Sequence, residues 1–285
     1  MKHIIVTGGN GQLGSEIKEL APQLKDYTFH FFDFQEWDIT DESKSLELFE
    51  KIKPSFLINC AAYTAVDKAE TDVDNANKIN GDCIAMLSRV CNQFGTHFIH
   101  VSTDFIFDGK KSEPYIESDL PNPISIYGSS KLLGEKLLQE NSNSYTILRT
   151  SWVYSRFGNN FVKTMMKYGR ERGALSVVFD QIGTPTYAAD LAAAIVFYLN
   201  EWVAHKNNVY HFSNEGVASW YDFAFEIFQQ KNIPCKVTPI LAEAYPTPAT
   251  RPKYSVMNKG KIKEEIGIEI AHWKESLHRC LQLLD

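Results

Sequence analysis

Thr7-Gly8-Gly9-Asn10-Gly11-Gln12-Leu13-Gly14 is the stretch that decides the fold. It follows a short apolar run at 3–6 and opens a segment, 12–21, with the composition of a helix. A strand, a glycine-rich turn and a helix in that order begin a dinucleotide-binding unit. Gly8 permits a tight turn, Gly11 lets the backbone approach a pyrophosphate, and Gly14 allows the helix to pack closely on the strand. The phosphates would lie at the helix N-terminus, where free N–H groups and the helix dipole attract anions. Gly8, Asn10, Gly11, Gln12, Leu13 and Gly14 are therefore expected to contact a nicotinamide dinucleotide. The bland alternative is a glycine-rich turn with no ligand.

Outward from that loop, β-rich runs at 28–33, 56–61, 96–102 and 145–151 alternate with helical candidates at 41–52, 73–94 and 127–140. In 41–52, Thr40 or Asp41 offers an N-cap, and Leu46, Phe49 and Ile52 mark an apolar face. Parallel strands need crossover connections, so the alternation predicts an α/β fold: a Rossmann-type doubly wound parallel sheet. Beyond 151 the rhythm changes. A loop at 155–160 leads to a helix at 161–169 and a strand at 175–179. A helix at 188–199 and a strand at 209–213 look like a return to the sheet. Helices at 219–231 and 273–284 flank a proline-rich segment, 234–252. The expected organisation is a dinucleotide-binding domain over 1–151, with 187–213 returning to it. A smaller, interleaved C-terminal substrate lobe would comprise 152–186 and 214–285.

The 285 residues are 44% apolar and 22% charged, enough for a real core. A net charge of −6 without a run of Lys and Arg argues against a nucleic-acid partner, because phosphate neutralisation needs a basic surface. The five cysteines are odd in number and show no CxxC spacing, so neither a disulfide framework nor a zinc site is expected. A first strand at residue 3 leaves no room for a secretory signal, and the longest apolar stretch, 191–199, is far short of a membrane span. A cytoplasmic protein with no membrane partner is expected.

Ligands on such sheets sit at the carboxyl ends of the strands. Asp33 ends the second strand, where a carboxylate can accept hydrogen bonds from the adenosine ribose. It would repel a 2′-phosphate, and no Lys or Arg from Gln35 to Thr40 offsets it. NADH is thus expected to be accepted, with NADPH left open; Asp38 and Ile39 are expected against the adenine. Tyr127-Gly128-Ser129-Ser130-Lys131 puts a phenol and an ammonium on one helical face. A free tyrosine, with a pKa of about 10, is a sluggish acid–base group at neutral pH, and a nearby ammonium lowers that value. Val101-Ser102-Thr103-Asp104 ends the fourth strand, so a hydroxyl from Thr103 or Ser102 can hold the substrate oxygen beside the phenol.

The glycine loop, the strand-end Thr and Tyr-x-x-x-Lys together resemble the extended short-chain dehydrogenase/reductase superfamily. Within it, Asn59-Cys60-Ala61-Ala62-Tyr63-Thr64-Ala65-Val66-Asp67-Lys68-Ala69-Glu70 is similar to a stretch of the dTDP-4-dehydrorhamnose reductases. So are Ser102–Phe107, Arg149-Thr150-Ser151-Trp152-Val153-Tyr154, Gly158-Asn159-Asn160-Phe161 and Pro246-Thr247-Pro248-Ala249-Thr250-Arg251-Pro252. The resemblance runs nearly end to end. It implies reduction of the C4 ketone of dTDP-4-dehydro-L-rhamnose by NADPH or NADH, the last step in making dTDP-L-rhamnose. It makes Thr103, Tyr127 and Lys131 catalytic, sets Asp104 and Trp152 against the substrate, and places Ala62, Tyr63 and Thr64 along the cofactor. Relatives that dehydrate sugar nucleotides carry Glu where Phe105 stands, so the resemblance disfavours dehydration. Some rhamnose reductases dimerise through Mg²⁺ held by acidic residues at the first helix and near the equivalent of Ala189. Glu16 fits the first, but Tyr187-Ala188-Ala189 offers no carboxylate and Asp190 is one place on. No metal is therefore expected, and either a monomer or a homodimer fits. Two alternatives stay open: reduction of another nucleotide sugar, and a non-catalytic regulatory subunit like the β subunit of methionine adenosyltransferase.

Other residues read as packing. His97 and His100, three apart in a strand, point to opposite faces rather than to one metal. Trp220, Ala224 and Ile227, like Tyr221, Phe225 and Phe228, recur at helical spacing and are expected in a core.

Overall fold

The computed structural model describes residues 1–201 and 207–285; residues 202–206, inside the expected returning segment 187–213, lie outside the described residues. Strands β1 (Lys2–Thr7), β2 (Tyr27–Phe32), β3 (Phe56–Asn59), β4 (His97–Thr103) and β5 (Tyr145–Thr150) join Asn208–His211 in one six-stranded sheet. The order is Asn208–His211, β5, β4, β3, β1, β2, with every pairing parallel. The chain leaves β1 for β2 on one side and then crosses to β3 on the other. Between β1 and β3 lies the topological switch point, where a doubly wound sheet opens a ligand crevice.

Both faces of the sheet are covered. Ile4, Val6, Phe56 and Ile58 pack on one face against Leu13 and Ile17 of helix Gln12–Leu20 and Leu191, Ile195 and Leu199 of helix Ala188–Glu201. Ile5, Leu57 and Phe98 pack on the other against Phe49 of helix Glu42–Ile52, Ile84 and Leu87 of helix Cys83–Phe94, and Leu138 of helix Ile126–Asn141. Asp41 caps helix Glu42–Ile52 by accepting from the Lys44 N–H. A third cluster, built on Tyr154, Val162, Phe223, Ile227, Trp273 and Leu277, lies outside the sheet. Among the described residues no helix is long and apolar enough to cross a membrane.

Several elements differ from expectation for local reasons. The single helix expected over 73–94 is instead Val73–Asn77, a π-turn at Lys78–Asp82 and Cys83–Phe94. The turn lets the Asn80 side chain accept from the Tyr63 N–H and donate to the Tyr63 carbonyl and the Ser130 hydroxyl. The strand Ala174–Val178 pairs with Lys236–Ile240, inside the segment expected only to be proline-rich. Pro239 is tolerated there because the ladder has only two strands, which leaves an edge for a residue lacking an N–H. Helix Gly260–Ile266, seven residues long, had no sequence signal strong enough to predict it.

Helix Ile126–Asn141 is fixed to the sheet by a buried ion pair. Arg149 of β5 donates to both carboxylate oxygens of Glu135, at 2.7 and 3.1 Å, and Ser102 of β4 donates to the same carboxylate at 2.5 Å. Glu135 is 1% exposed and Arg149 4%. Removing one partner of such a pair strands a buried charge, so Arg149→Met should cost about 3–5 kcal/mol in urea unfolding. The double variant Glu135→Met/Arg149→Met should recover most of that loss. A loss in the single variant below about 1 kcal/mol would show that the pair is not sealed from water.

Candidate active site

A cleft of about 860 Å³ opens at the carboxyl ends of β1, β3, β4 and β5. Gly8, Asn10, Gly11, Gln12 and Leu13 form one wall. Gly8 has φ +63°, and a side chain there would meet the Ala61 backbone across the switch point. Gly14 is not on the wall. It lets the helix start against the loop, since a Cβ would sit 2.2 Å from the Gly8 carbonyl oxygen. Gly11 stands at the N-cap of helix Gln12–Leu20 and supplies no side-chain cap, and the first turn has no acidic residue. Its leading N–H groups are thus available to an anion, as a pyrophosphate requires.

Asp33, Asp38 and Ile39 line the far end, joined by Phe34 and Trp37. Asp33 accepts from the Phe34 N–H and its own N–H donates to Glu36, so two carboxylates share this turn. Asp38 accepts from the N–H and hydroxyl of Thr40. Ala62 and Thr64 lie on the wall, but Tyr63, expected beside them, does not. Its phenol donates to Asp72 at 2.9 Å, because the Asn80 clamp on its backbone turns the ring away from the cleft.

Thr103, Tyr127 and Lys131 all face the cleft. Ser125 caps helix Ile126–Asn141, which puts Tyr127 in its first turn and Lys131 one turn on. Ser102 is committed to Glu135, whereas the Thr103 hydroxyl donates to Asp104 Oδ1 at 3.1 Å and acts on the Tyr127 phenol by favouring its ionised form. Thr103 is thereby the hydroxyl beside the phenol. Burial pushes the Tyr127 pKa up to about 12, the Thr103 hydroxyl opposes that rise and the Asp104 carboxylate adds to it. The expected lowering by Lys131 is not among these influences. Lys131 Nζ instead donates to the Val101 carbonyl at 2.7 Å and lies 3.4 Å from His100 Nε2. Burial pulls the Lys131 pKa down to about 8 against the pull of Glu135, one turn further along.

The other end of the cleft holds Asp104 and Trp152. Burial raises the Asp104 pKa to about 6, although the Ser255 and Thr103 hydroxyls favour its charged form. No protein group meets its Oδ2 in hydrogen-bond geometry, nor the Thr150 hydroxyl next to it on the cleft wall. Trp152 has φ +48°, a conformation costly for a bulky residue. Its indole stacks on Trp220 with ring centroids 3.5 Å apart. Trp220 packs against the third cluster, as its spacing implied, and also walls the cleft; Phe223, Ala224, Ile227 and Phe228 face inward, whereas Phe225, expected in a core, is 45% exposed. Phe105 also faces the cleft and packs edge-on to Tyr127. Arg251 reaches the cleft from the proline-rich segment and pairs with Asp67 at 2.8 Å. Thr150 and Arg251 lie in two of the family-like stretches but have no task assigned by them, and long-range packing brings both, with Trp220, to the cleft.

Glu16 and Asp190 are both engaged by protein donors. Glu16 accepts from Ser155 at 2.6 Å, and Asp190 from Asn214, Ser276 and Arg279. Among the described residues no three His, Cys, Asp or Glu side chains are grouped so as to hold a metal ion.

The profile of the family described as RmlD substrate binding domain matches residues 1–285. The dTDP-4-dehydrorhamnose reductase of Aggregatibacter actinomycetemcomitans is 39% identical, over 97% of each chain. The spore coat polysaccharide biosynthesis protein SpsK of Bacillus subtilis is also 39% identical, over 99% of this chain and 98% of that one. The crystal structure of dTDP-4-dehydrorhamnose reductase from Bacillus anthracis, in complex with NADP, superposes with a TM-score of 0.94 at 40% identity, covering 99% of both chains. With a whole-length profile match and such relatives over nearly all its length, the chain belongs to the RmlD substrate binding domain family, that of the dTDP-4-dehydrorhamnose reductases.

Proposed function

We propose that this protein reduces the C4 ketone of dTDP-4-dehydro-L-rhamnose to dTDP-L-rhamnose with NAD(P)H, the last step in making that sugar donor. The observation that carries the reading is the meeting of Thr103, Tyr127 and Lys131 in one cleft with an uncapped helix N-terminus at its other wall. The loop fits a dinucleotide, because its leading N–H groups lack side-chain partners and the Gly14 position leaves no room for a Cβ. Residues 1–151 with 187–213 would hold the dinucleotide, and 152–186 with 214–285 the sugar nucleotide. All the proposed reacting groups come from one chain, so a monomer or a homodimer serves equally, and the proposed setting is the cytoplasm.

Bound NAD(P)H supplies a hydride to the sugar C4 carbon. Tyr127 gives its proton to the oxygen that becomes an alkoxide. A phenol held near pKa 12 arrives protonated at neutral pH, as an acid in the reducing direction must. Thr103 donates to the same oxygen where the charge develops. Lys131, with one N–H left for the cleft, holds the nicotinamide ribose. Asp104, with one carboxylate oxygen lacking a protein donor, accepts from a sugar hydroxyl. Trp152, backed by Trp220, presents an indole face to the sugar ring. Phe105 leaves no carboxylate for proton abstraction, which favours reduction over dehydration.

The direct test couples purified protein to enzymatically made dTDP-4-dehydro-L-rhamnose and follows NAD(P)H absorbance. Turnover with either cofactor supports the proposal. Cofactor binding without turnover would favour a regulatory subunit, and turnover only with another nucleotide sugar would move the substrate assignment. Tyr127→Phe is expected to lower kcat by about 10²–10⁴-fold while NADH affinity changes little; retained activity would require another proton donor. The Lys131 ammonium is present below about pH 8 and lost as pH rises through it, whereas Asp104 is ionised above about pH 6. The kcat profile should therefore rise through about 6 and fall beyond about 8; a flat profile from 5 to 9 would contradict these roles. Asp33→Ser removes a carboxylate that repels a 2′-phosphate. It should raise NADPH affinity relative to NADH by roughly ten-fold, read from nicotinamide fluorescence.

A further inference from the structure

His100 is completely buried in β4, and nothing in the proposed reaction gives it a task. Its register partner on β3 is Asn59, and the register partner of Asn59 on β1 is Thr7. The three side chains form one row across three parallel strands. Thr7 Oγ1 lies 2.5 Å from Asn59 Oδ1, Asn59 Nδ2 lies 3.1 Å from His100 Nδ1, and His100 Nε2 lies 3.4 Å from Lys131 Nζ. None of the four residues is more than 2% exposed. At one end the row meets Lys131; at the other, Thr7 opens directly into the glycine loop.

A buried polar row of this kind costs stability unless every member is satisfied. Burial and the adjacent lysine charge both hold the His100 pKa well below the usual imidazole value, so the ring is neutral. A neutral imidazole has one N–H and one lone pair. Facing an ammonium, Nε2 must offer the lone pair, which places the proton on Nδ1. Nδ1–H then donates to Asn59, whose amide serves this arrangement with its oxygen toward His100 and its nitrogen toward Thr7, a half-turn of the group. Lys131 spends one N–H on the Val101 carbonyl and one on His100. Its third N–H is left for the cleft that it lines.

We infer that His100 is a positioning residue of this reductase: by accepting one N–H of Lys131, it holds the ammonium in place and, through Asn59 and Thr7, ties that place to the glycine loop. The inference rests on the reading of Lys131 as a catalytic cation. The groups facing Lys131 are Glu135 on its own helix, Cys60 at the end of β3, Cys83 of helix Cys83–Phe94 and His100 of β4. Of these only Glu135 is a carboxylate, and burial pushes both thiols up to about 12. Without the His100 lone pair the ammonium would stay buried with one hydrogen bond fewer. The neutral amine would then be favoured, and the alkaline limb would move to lower pH.

Two profiles test this: kcat against pH, and NADH affinity against pH by nicotinamide fluorescence, which needs no turnover. His100→Leu should move the alkaline limb of both down by about one pH unit, the effect of one hydrogen bond to a charged group. The sugar-nucleotide KM should stay within roughly two-fold, because His100 does not touch the sugar. His100→Gln, which can return an acceptor to the same place, should restore most of the shift. Wild-type limbs in the Leu variant, or a Gln variant as impaired as Leu, would overturn the inference. If His100→Leu does not fold, the imidazole nitrogen NMR spectrum decides: Lys131→Met should shift the His100 Nε2 resonance, and an unchanged resonance would overturn it. Should the protein prove inactive on this sugar nucleotide, the NADH-binding limb still reports on the link, so the two failures are separable.

Discussion

Two charged side chains one helical turn apart, Lys131 and Glu135, face the sheet instead of solvent, and the rest of the site is arranged around satisfying them. A helix that docks with charges on its inner face cannot rely on apolar contact alone. Glu135 is met by Arg149 and Ser102, and Lys131 by the Val101 carbonyl and His100. These partners come from β4 and β5, whose ends are where the cleft opens. The interactions that seat the helix therefore also set the position of Tyr127 relative to Thr103.

The same burial divides the proton chemistry. Desolvation raises the phenol of Tyr127 to about 12 and lowers the ammonium of Lys131 to about 8, so two groups that begin nearly level are driven apart. The result is a protonated acid beside a cation that is readily neutralised, which suits a site that delivers a proton and must then recover it. At the sugar end the logic is different. There the unpartnered Asp104 oxygen and Thr150 hydroxyl, with the strained Trp152 held against Trp220, suggest groups whose missing contacts a sugar would supply.

Much of this was legible in the sequence because it is local. The glycine loop, the five strands through β5 and the Tyr–Lys spacing are each encoded within about a dozen residues. The choice between Ser102 and Thr103 was not local. It is settled by Glu135, 33 residues away, which takes the Ser102 hydroxyl. Helical periodicity put Trp220 against a core, where it packs, but did not say that its ring, at the N-terminus of its helix, also stacks on Trp152 at the cleft wall. His100 falls in β4, as its run implied, but alternation says only which face it takes, not that Asn59 and Lys131 wait there. The Asp67–Arg251 pair spans 184 positions and is invisible to any window.

In the proposed reaction a hydride reaches the C4 carbon of the sugar in this cleft. Reduction of dTDP-4-dehydro-L-rhamnose with NAD(P)H deuterated at both nicotinamide C4 positions, followed by mass and NMR analysis of the product, follows that hydride. The expected product is dTDP-L-rhamnose carrying one deuterium at C4. A product without deuterium there, or label at another sugar carbon, would contradict the proposed reaction.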